Sequence, residues 1–157
     1  MAKVTPDSGW WYLSSFRRKA KGQHSANALR RFLIHLNIES EGLHIVEHIL
    51  LRPSDPDKRA YQDIYPDFFP FRISVIFPSW TARCHDPNFR LLAEETVSIN
   101  CPAHVHPEFY WLDFKTMYEF EVLYKKWLDL KCQAEAKEKS LDLASLSLIE
   151  FLAEHNA

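Results

Sequence analysis

The chain has 157 residues, of which 46% are hydrophobic and 14% aromatic, enough apolar material for one folded domain. Its formal net charge of -2 excludes the general basic character on which nucleic-acid binders rely, so we expect no nucleic-acid partner. The three cysteines have no paired spacing, the first residues show no secretory leader, and no apolar run reaches the roughly 20 residues of a membrane span. We therefore expect a cytoplasmic protein without a membrane span.

The N-terminal segment lacks periodicity and is predicted to form an irregular arm. A dense aromatic cluster lies in it, and we expect these side chains to dock on the core of the chain or on a neighbouring subunit. The candidate partner-binding residues of the arm are Trp10, Trp11, Tyr12 and Phe16. A short helix is predicted from Ser25, a suitable N-cap, to about Leu36.

The first strand is predicted over Leu43 to Leu51, with a helix as the competing assignment. A long loop rich in proline and aspartate follows, and loops of this length inside a domain are usually functional. Phe71 to Phe77 alternates strictly between apolar and other positions, which predicts a second strand that Pro78 ends.

The next helix is predicted to begin at Pro87, with Asp86 as its N-cap, and to run to about Asn100. His104 to Leu112 is predicted as the third strand, and Asp113 is expected to cap the helix that follows it. In that helix apolar residues recur at spacings of three and four, as on the buried face of an amphipathic helix.

A charged stretch then leads to an amphipathic tail helix. Its apolar face requires a partner, for which the core of the chain is the default and the groove of another protein the alternative. The candidate partner-binding residues of this helix are Leu146, Ile149 and Leu152.

The order of these elements predicts an α+β fold with a small mixed sheet. The first two strands are expected to pair antiparallel, and a right-handed crossover should place the last strand parallel to the second. This arrangement is close to a split β-α-β unit, with the helices packed on one face and a C-terminal amphipathic helix. We divide the chain into an aromatic arm with a short helix (1–41), an α+β core module (42–130) and the C-terminal helix (131–157).

One motif suggests catalysis. His44, Glu47 and His48 match H-x-x-E-H, in which two histidines bind zinc and the glutamate activates water. In a helix the two histidines would lie roughly 6 Å apart at Cα. In a strand they would lie about 13 Å apart, too far for one ion. The strand assignment therefore disfavours the motif.

Two further groups of polar residues have simpler structural explanations. Cys84 and His85 follow one strand while His104 and His106 open another, so these groups could lie at one end of the sheet, but no spacing matches a zinc knuckle. Glu47 lies among apolar residues, and we expect an arginine such as Arg52 or Arg72 to pair with it as a structural lock. The sequence contains no nucleophile elbow or glycine-rich phosphate loop.

Three segments, in order, carry a resemblance: Gly42 to Pro53, Phe71 to Trp80, and Pro102 to His104 with Phe109 to Asp113 and the helix after it. Together they resemble a module near the ends of large bacterial proteins associated with phage-tail-like contractile injection systems. The resemblance covers roughly Gly42 to Leu130. It implies a baseplate or tail-assembly protein with no catalytic residues to transfer.

These observations predict a structural protein-protein interaction module that needs no cofactor. Its expected partners are other protein subunits of a large assembly, with oligomerisation possible. The alternatives are a zinc-dependent hydrolase that uses His44, Glu47 and His48, and a regulatory adaptor whose tail helix fills a partner's groove.

Overall fold

A computed structural model of the chain describes Tyr12 and residues 14–53, 68–133 and 138–156. The elements in chain order are α1 (Lys19–Glu39), β1 (His44–Glu47), a 3₁₀ turn (His48–Leu51), β2 (Arg72–Pro78), α2 (Pro87–Asn100), β3 (His106–Leu112), α3 (Phe114–Cys132) and α4 (Glu138–Glu154). The chain divides into two compact units, Met1–Glu39 and Ser40–Ala157. None of the described helices combines the length and apolarity needed to cross a membrane.

The sheet of the second unit has three strands in the order β1-β2-β3. β1 pairs antiparallel with β2, and Ile45 lies opposite Val75. β2 pairs parallel with β3, and Val75 lies opposite Phe109. The predicted α+β fold, its mixed sheet and both strand orientations are therefore confirmed. The helix between β2 and β3 is the physical reason that the second pairing was predictable, because parallel strands need a crossover connection and a helix usually supplies it.

Helices cover both faces of this sheet, whereas the sequence predicted them on one face. Successive side chains of a strand point to opposite faces. Ile76 and Tyr110 pack into the larger core with α3 and α4. Val75 and Phe109 pack into a smaller core with Val97 of α2 and other residues of that helix. Because both faces of β2 are apolar, a second layer of helix is needed, and the crossover helix α2 supplies it.

The starts of α2 and α3 follow the capping rules, as predicted. Asp86 precedes Pro87, and its Oδ1 accepts a hydrogen bond from the backbone N–H of Asn88 at 2.9 Å. Asp113 accepts one from the backbone N–H of Thr116 at 2.8 Å. This bond lowers the pKa of Asp113 below its ordinary value because it stabilises the carboxylate.

α4 supplies a large share of the main core. Leu148, Ile149 and Leu152 are fully buried, and Trp127 of α3 donates a hydrogen bond from Nε1 to Ser145 Oγ at 3.1 Å. The helix packs against α3 and the 3₁₀ turn. Residues 138–156 therefore belong structurally with the sheet, although the sequence-based division set 131–157 apart.

Several element boundaries differ from the predictions, most of all those of α1 and β1. α1 begins at Lys19 and ends at Glu39, so Ser25 lies inside the helix and does not cap it. Ala20 and Lys21, which precede Ser25, are good helix formers, and they favour a helix that begins before Ser25. β1 ends at Glu47, and the chain then turns through a 3₁₀ segment that buries His48 and Leu51.

Candidate partner-binding site

The H-x-x-E-H residues do not lie on a helix. His44 is in β1, and His48 begins the 3₁₀ turn after Glu47. The His44 ring packs edge-on against Phe120 and Tyr124 of α3, both at 5.4 Å between centroids. Among the described residues, no three histidine, cysteine, aspartate or glutamate side chains are grouped to hold a metal ion. This geometry gives the zinc alternative no support.

His48 is fully buried and makes hydrogen bonds through both ring nitrogens. Nδ1 lies 2.7 Å from the carbonyl oxygen of Phe68, and Nε2 lies 2.7 Å from Ser74 Oγ. A carbonyl only accepts, so Nδ1 carries the proton and Nε2 accepts from the serine hydroxyl. Burial lowers the pKa of His48, so the ring is neutral near pH 7.

The contact between Ser74 and His48 has the distance of a nucleophile and its general base. Both side chains are nevertheless fully buried, so a substrate cannot reach Ser74 Oγ in this structure. A buried, neutral and fully hydrogen-bonded pair fits a role in holding β2 to the 3₁₀ turn.

The hydrogen bonds continue from Ser74 across the sheet to β3. Glu108 is almost completely buried and forms an ion pair with Arg72 of β2. The hydroxyl of Tyr110 lies 3.1 Å from Glu108 Oε2 and 3.3 Å from the carbonyl oxygen of Leu152 in α4. Burial and the neighbouring carboxylate raise the pKa of Tyr110, so it stays a donor. We call this set the buried polar cluster; its residues are His48, Arg72, Ser74, Glu108 and Tyr110.

The buried polar cluster corrects one prediction. Glu47 was expected to be the carboxylate locked by an arginine, but it is exposed. Arg72 pairs with Glu108 instead. Because β1 has only one strand neighbour and Glu47 points to its uncovered side, Glu47 keeps its contact with water. The sequence pattern did not predict that Glu108 of β3 would be buried, because a glutamate in a strand is usually exposed.

An apolar groove of about 560 Å³ lies over β1 and the start of β2. Ile45 and Glu47 of β1 and Ile73 of β2 form its floor, on the sheet face that α2 partly covers. α2 packs over β2 and β3, so the outer face of β1 is left open. The remaining lining residues are Ile49, Phe69, Pro70, Phe71, Arg72, Cys101, Pro102 and Val105.

Phe71, at the edge of the groove, is the only described residue other than glycine with a positive φ, at 54°. A bulky side chain in this left-handed region is strained. The ring is nevertheless 65% exposed, with an edge-on contact to His104 at 5.3 Å between centroids. Strained backbone positions cluster at functional sites, so we include the exposed Phe71 ring in the candidate contact surface.

The predicted partner-binding residues have different surroundings. Trp10 and Trp11 lie outside the described residues. Tyr12 and Phe16 are exposed. Leu146, Ile149 and Leu152 are buried in the core of the second unit, which was the default expectation for the tail helix. These three positions are therefore occupied within the chain itself.

The two Cys/His groups are separated by the parallel pairing. His106 opens β3 opposite Arg72, at the start of β2. Cys84 and His85 follow the other end of β2, beyond Pro78. In a parallel pair the start of one strand lies beside the start of the other, so the two groups do not share an end of the sheet.

The chain matches no protein-family model, and no curated protein matches it.

Proposed function

We propose that this chain is a structural module that binds other proteins within a large assembly. The observation that carries the proposal is the open apolar groove beside β1. Large contiguous patches of exposed apolar surface mark sites of protein contact, and the groove gathers several apolar side chains on one open face. The groove presents Ile45, Ile49 and Phe71, each at least half exposed, around the acidic group of Glu47.

Further exposed apolar side chains support an assembly role. On α2, Leu91, Leu92 and Ile99 point to solvent, and on α3, Phe114 and Tyr118 do so. Within the buried polar cluster, His48, Ser74, Glu108 and Tyr110 are buried and joined by internal hydrogen bonds, and only Arg72 is partly exposed, at the groove. The exposed apolar side chains are therefore the features that support a contact role.

The assembly that we propose is a phage-tail-like contractile injection particle, in which the chain is a baseplate or tail component. The resemblance of three segments within Gly42 to Leu130 supports this narrower proposal. In this proposal the chain is made in the cytoplasm, where its three cysteines remain free as they are in the structure, and then joins the particle.

Affinity capture from the organism that makes the protein tests this function. The tagged chain should enrich tube, sheath or baseplate subunits, identified by mass spectrometry. Ile45→Lys, which places a charge in the groove, should abolish the enrichment. Leu143→Lys, at an exposed site on α4, is the matched control and should not. If the tagged chain enriches no tail subunit, the particle assignment is wrong.

A further inference from the structure

α1 carries an apolar stripe with no partner inside the first unit. Leu29, Phe32, Leu33 and Leu36 lie at helical spacing, and their exposed fractions range from 37% to 60%. None of the 21 residues of the helix is buried. Helices in proteins draw most of their stability from packing an apolar face, so this stripe requires a surface to cover it.

Part of the stripe continues toward the start of the helix at the spacing of a coiled-coil seam. Gly22, Ser25, Leu29, Phe32 and Leu36 alternate at intervals of three and four residues. The Phe16 ring covers Gly22, because a Cβ at that glycine would lie 3.5 Å from Phe16 Cδ2. A seam with this alternation of three and four residues fits another helix.

The charges of α1 select the orientation of the second helix. Lys19 and Lys21 lie at the N-terminus and Glu39 at the C-terminus, so no acidic residue lies in the first turn and no basic residue in the last. The charges at both ends of α1 therefore interact unfavourably with the helix dipole. An antiparallel copy of α1 brings Glu39 beside the two lysines at each end and corrects both mismatches, whereas a parallel copy places like charges together.

We propose that two copies of this chain pair through α1, antiparallel, about a twofold axis. In this register Leu29 faces Phe32 of the second copy, and Ser25 faces Leu36. Arg30 and Arg31 lie off the seam, at positions that stay in water. The partner of α1 is a second copy of this chain, and the biological role of this pairing rests on the proposed function in an assembly.

Sedimentation velocity on the purified full chain measures this pairing. The wild-type chain should show a concentration-dependent dimer. The double substitution Leu29→Ser with Phe32→Ser should convert it to monomer at the same concentrations. Ile34→Ser with Ile38→Ser is the matched control, since these residues are similarly exposed, at 48% and 59%, but lie away from the seam. A monomeric wild-type chain, or an equal loss of dimer in the control, would overturn the proposal.

Disulfide trapping measures the orientation, in a background with Cys101→Ser and Cys132→Ser. A mixture of the Ser25→Cys and Leu36→Cys variants should form a mixed cross-linked dimer. A Leu36→Cys variant that cross-links efficiently to itself would show parallel pairing and overturn the register. Binding of the monomeric chain to phosphatidylserine vesicles through the Leu29 and Phe32 face would show instead that a membrane covers the stripe.

The two proposals fail in different experiments. A chain that stays monomeric but captures tail subunits overturns the α1 pairing and leaves the proposed function standing. A chain that dimerises through α1 but captures no tail subunit supports the pairing and removes the particle assignment.

Discussion

Phe71 is held in a left-handed backbone conformation by the chain on both sides of it. Pro70 precedes Phe71. The carbonyl oxygen of Phe71 accepts a hydrogen bond from the backbone N–H of His106 at 2.7 Å, and this bond ties the start of β2 to the start of β3. The ring itself has little packing, because most of it is in water. Stability and partner contact therefore place different demands on this residue.

Substitutions at Phe71 should separate these two demands. Phe71→Gly relieves the strain and should make the protein about 1 kcal/mol more stable than Phe71→Ala, which keeps it. Both substitutions remove the ring and should weaken capture of partners equally. Urea denaturation gives the first comparison and affinity capture the second. Equal stabilities for Gly and Ala would show that the positive φ carries no strain.

His48 should make stability depend on pH. Burial lowers its pKa in the folded chain below the unfolded value near 6.5, so the unfolded chain binds the proton more readily. Its contribution is therefore complete above pH 6.5 and is lost as the pH falls below that value. The charge of Glu108 partly offsets this effect by raising the pKa, whereas that of Arg72 adds to it.

We expect the free energy of unfolding to fall below pH 6.5, with a slope from His48 of at most about 1.4 kcal/mol per pH unit. His48→Gln should remove this part of the slope, because Gln donates and accepts hydrogen bonds without titrating. His106→Gln, at an exposed site, is the control. Urea denaturation of the wild-type chain and of both variants between pH 7.5 and pH 5 gives the slope of the unfolding free energy against pH. An unchanged slope in His48→Gln would assign the dependence to other groups.

At the scale of elements, α4 tests how far the tail helix belongs to the core. Leu148→Ala removes a fully buried side chain and should cost about 2–5 kcal/mol of unfolding free energy. Leu143→Ala makes the same chemical change on the exposed face of the same helix and should cost less than about 0.5 kcal/mol. Thermal or urea unfolding measures the difference. Similar costs would mean that α4 is not packed on the sheet in solution.

The elements whose starts were predicted best are the helices with a capping residue at the N-terminus. α2 begins where Asp86-Pro87 predicts, and α3 begins after Asp113. α1 was predicted too short, because serine is favoured at an N-cap, whereas Ser25 lies inside the helix. The 3₁₀ turn after β1 was not predicted, because Ile, Leu and His at 48–51 carry no turn signal and only burial of His48 and Leu51 fixes the bend.

At the scale of the whole molecule, the first unit should contribute little to the stability of the second. Because the residues of the main core all lie in the second unit, a chain that begins at Ser40 should unfold within about 0.5 kcal/mol of the full chain. Tryptophan fluorescence during urea denaturation, at concentrations below dimerisation, measures this if the full chain carries Trp10→Phe and Trp11→Phe, so that both proteins contain the same tryptophans. A loss of about 2 kcal/mol or more would show that Met1–Glu39 supports the core.

The candidate site was only partly visible in the sequence. The alternation of Ile73, Val75 and Phe77 identified the β2 face, but the pattern could not show that α2 leaves β1 uncovered. The buried polar cluster joins residues from the 3₁₀ turn, β2 and β3. His48 and Arg72 were singled out in the sequence, but their partners Ser74 and Glu108 were not, because the three segments that supply the cluster meet only through the sheet register.

The sequence by itself determined the α+β class, the antiparallel and parallel pairings and the starts of α2 and α3. Local rules of alternation, crossover handedness and capping were sufficient for these features. Tertiary structure alone decided which faces are covered. It buried the tail helix, placed Arg72 on Glu108 and not on Glu47, and left the β1 groove and the α1 stripe in solvent. Burial depends on competition among all apolar faces for a limited core, which no single segment encodes.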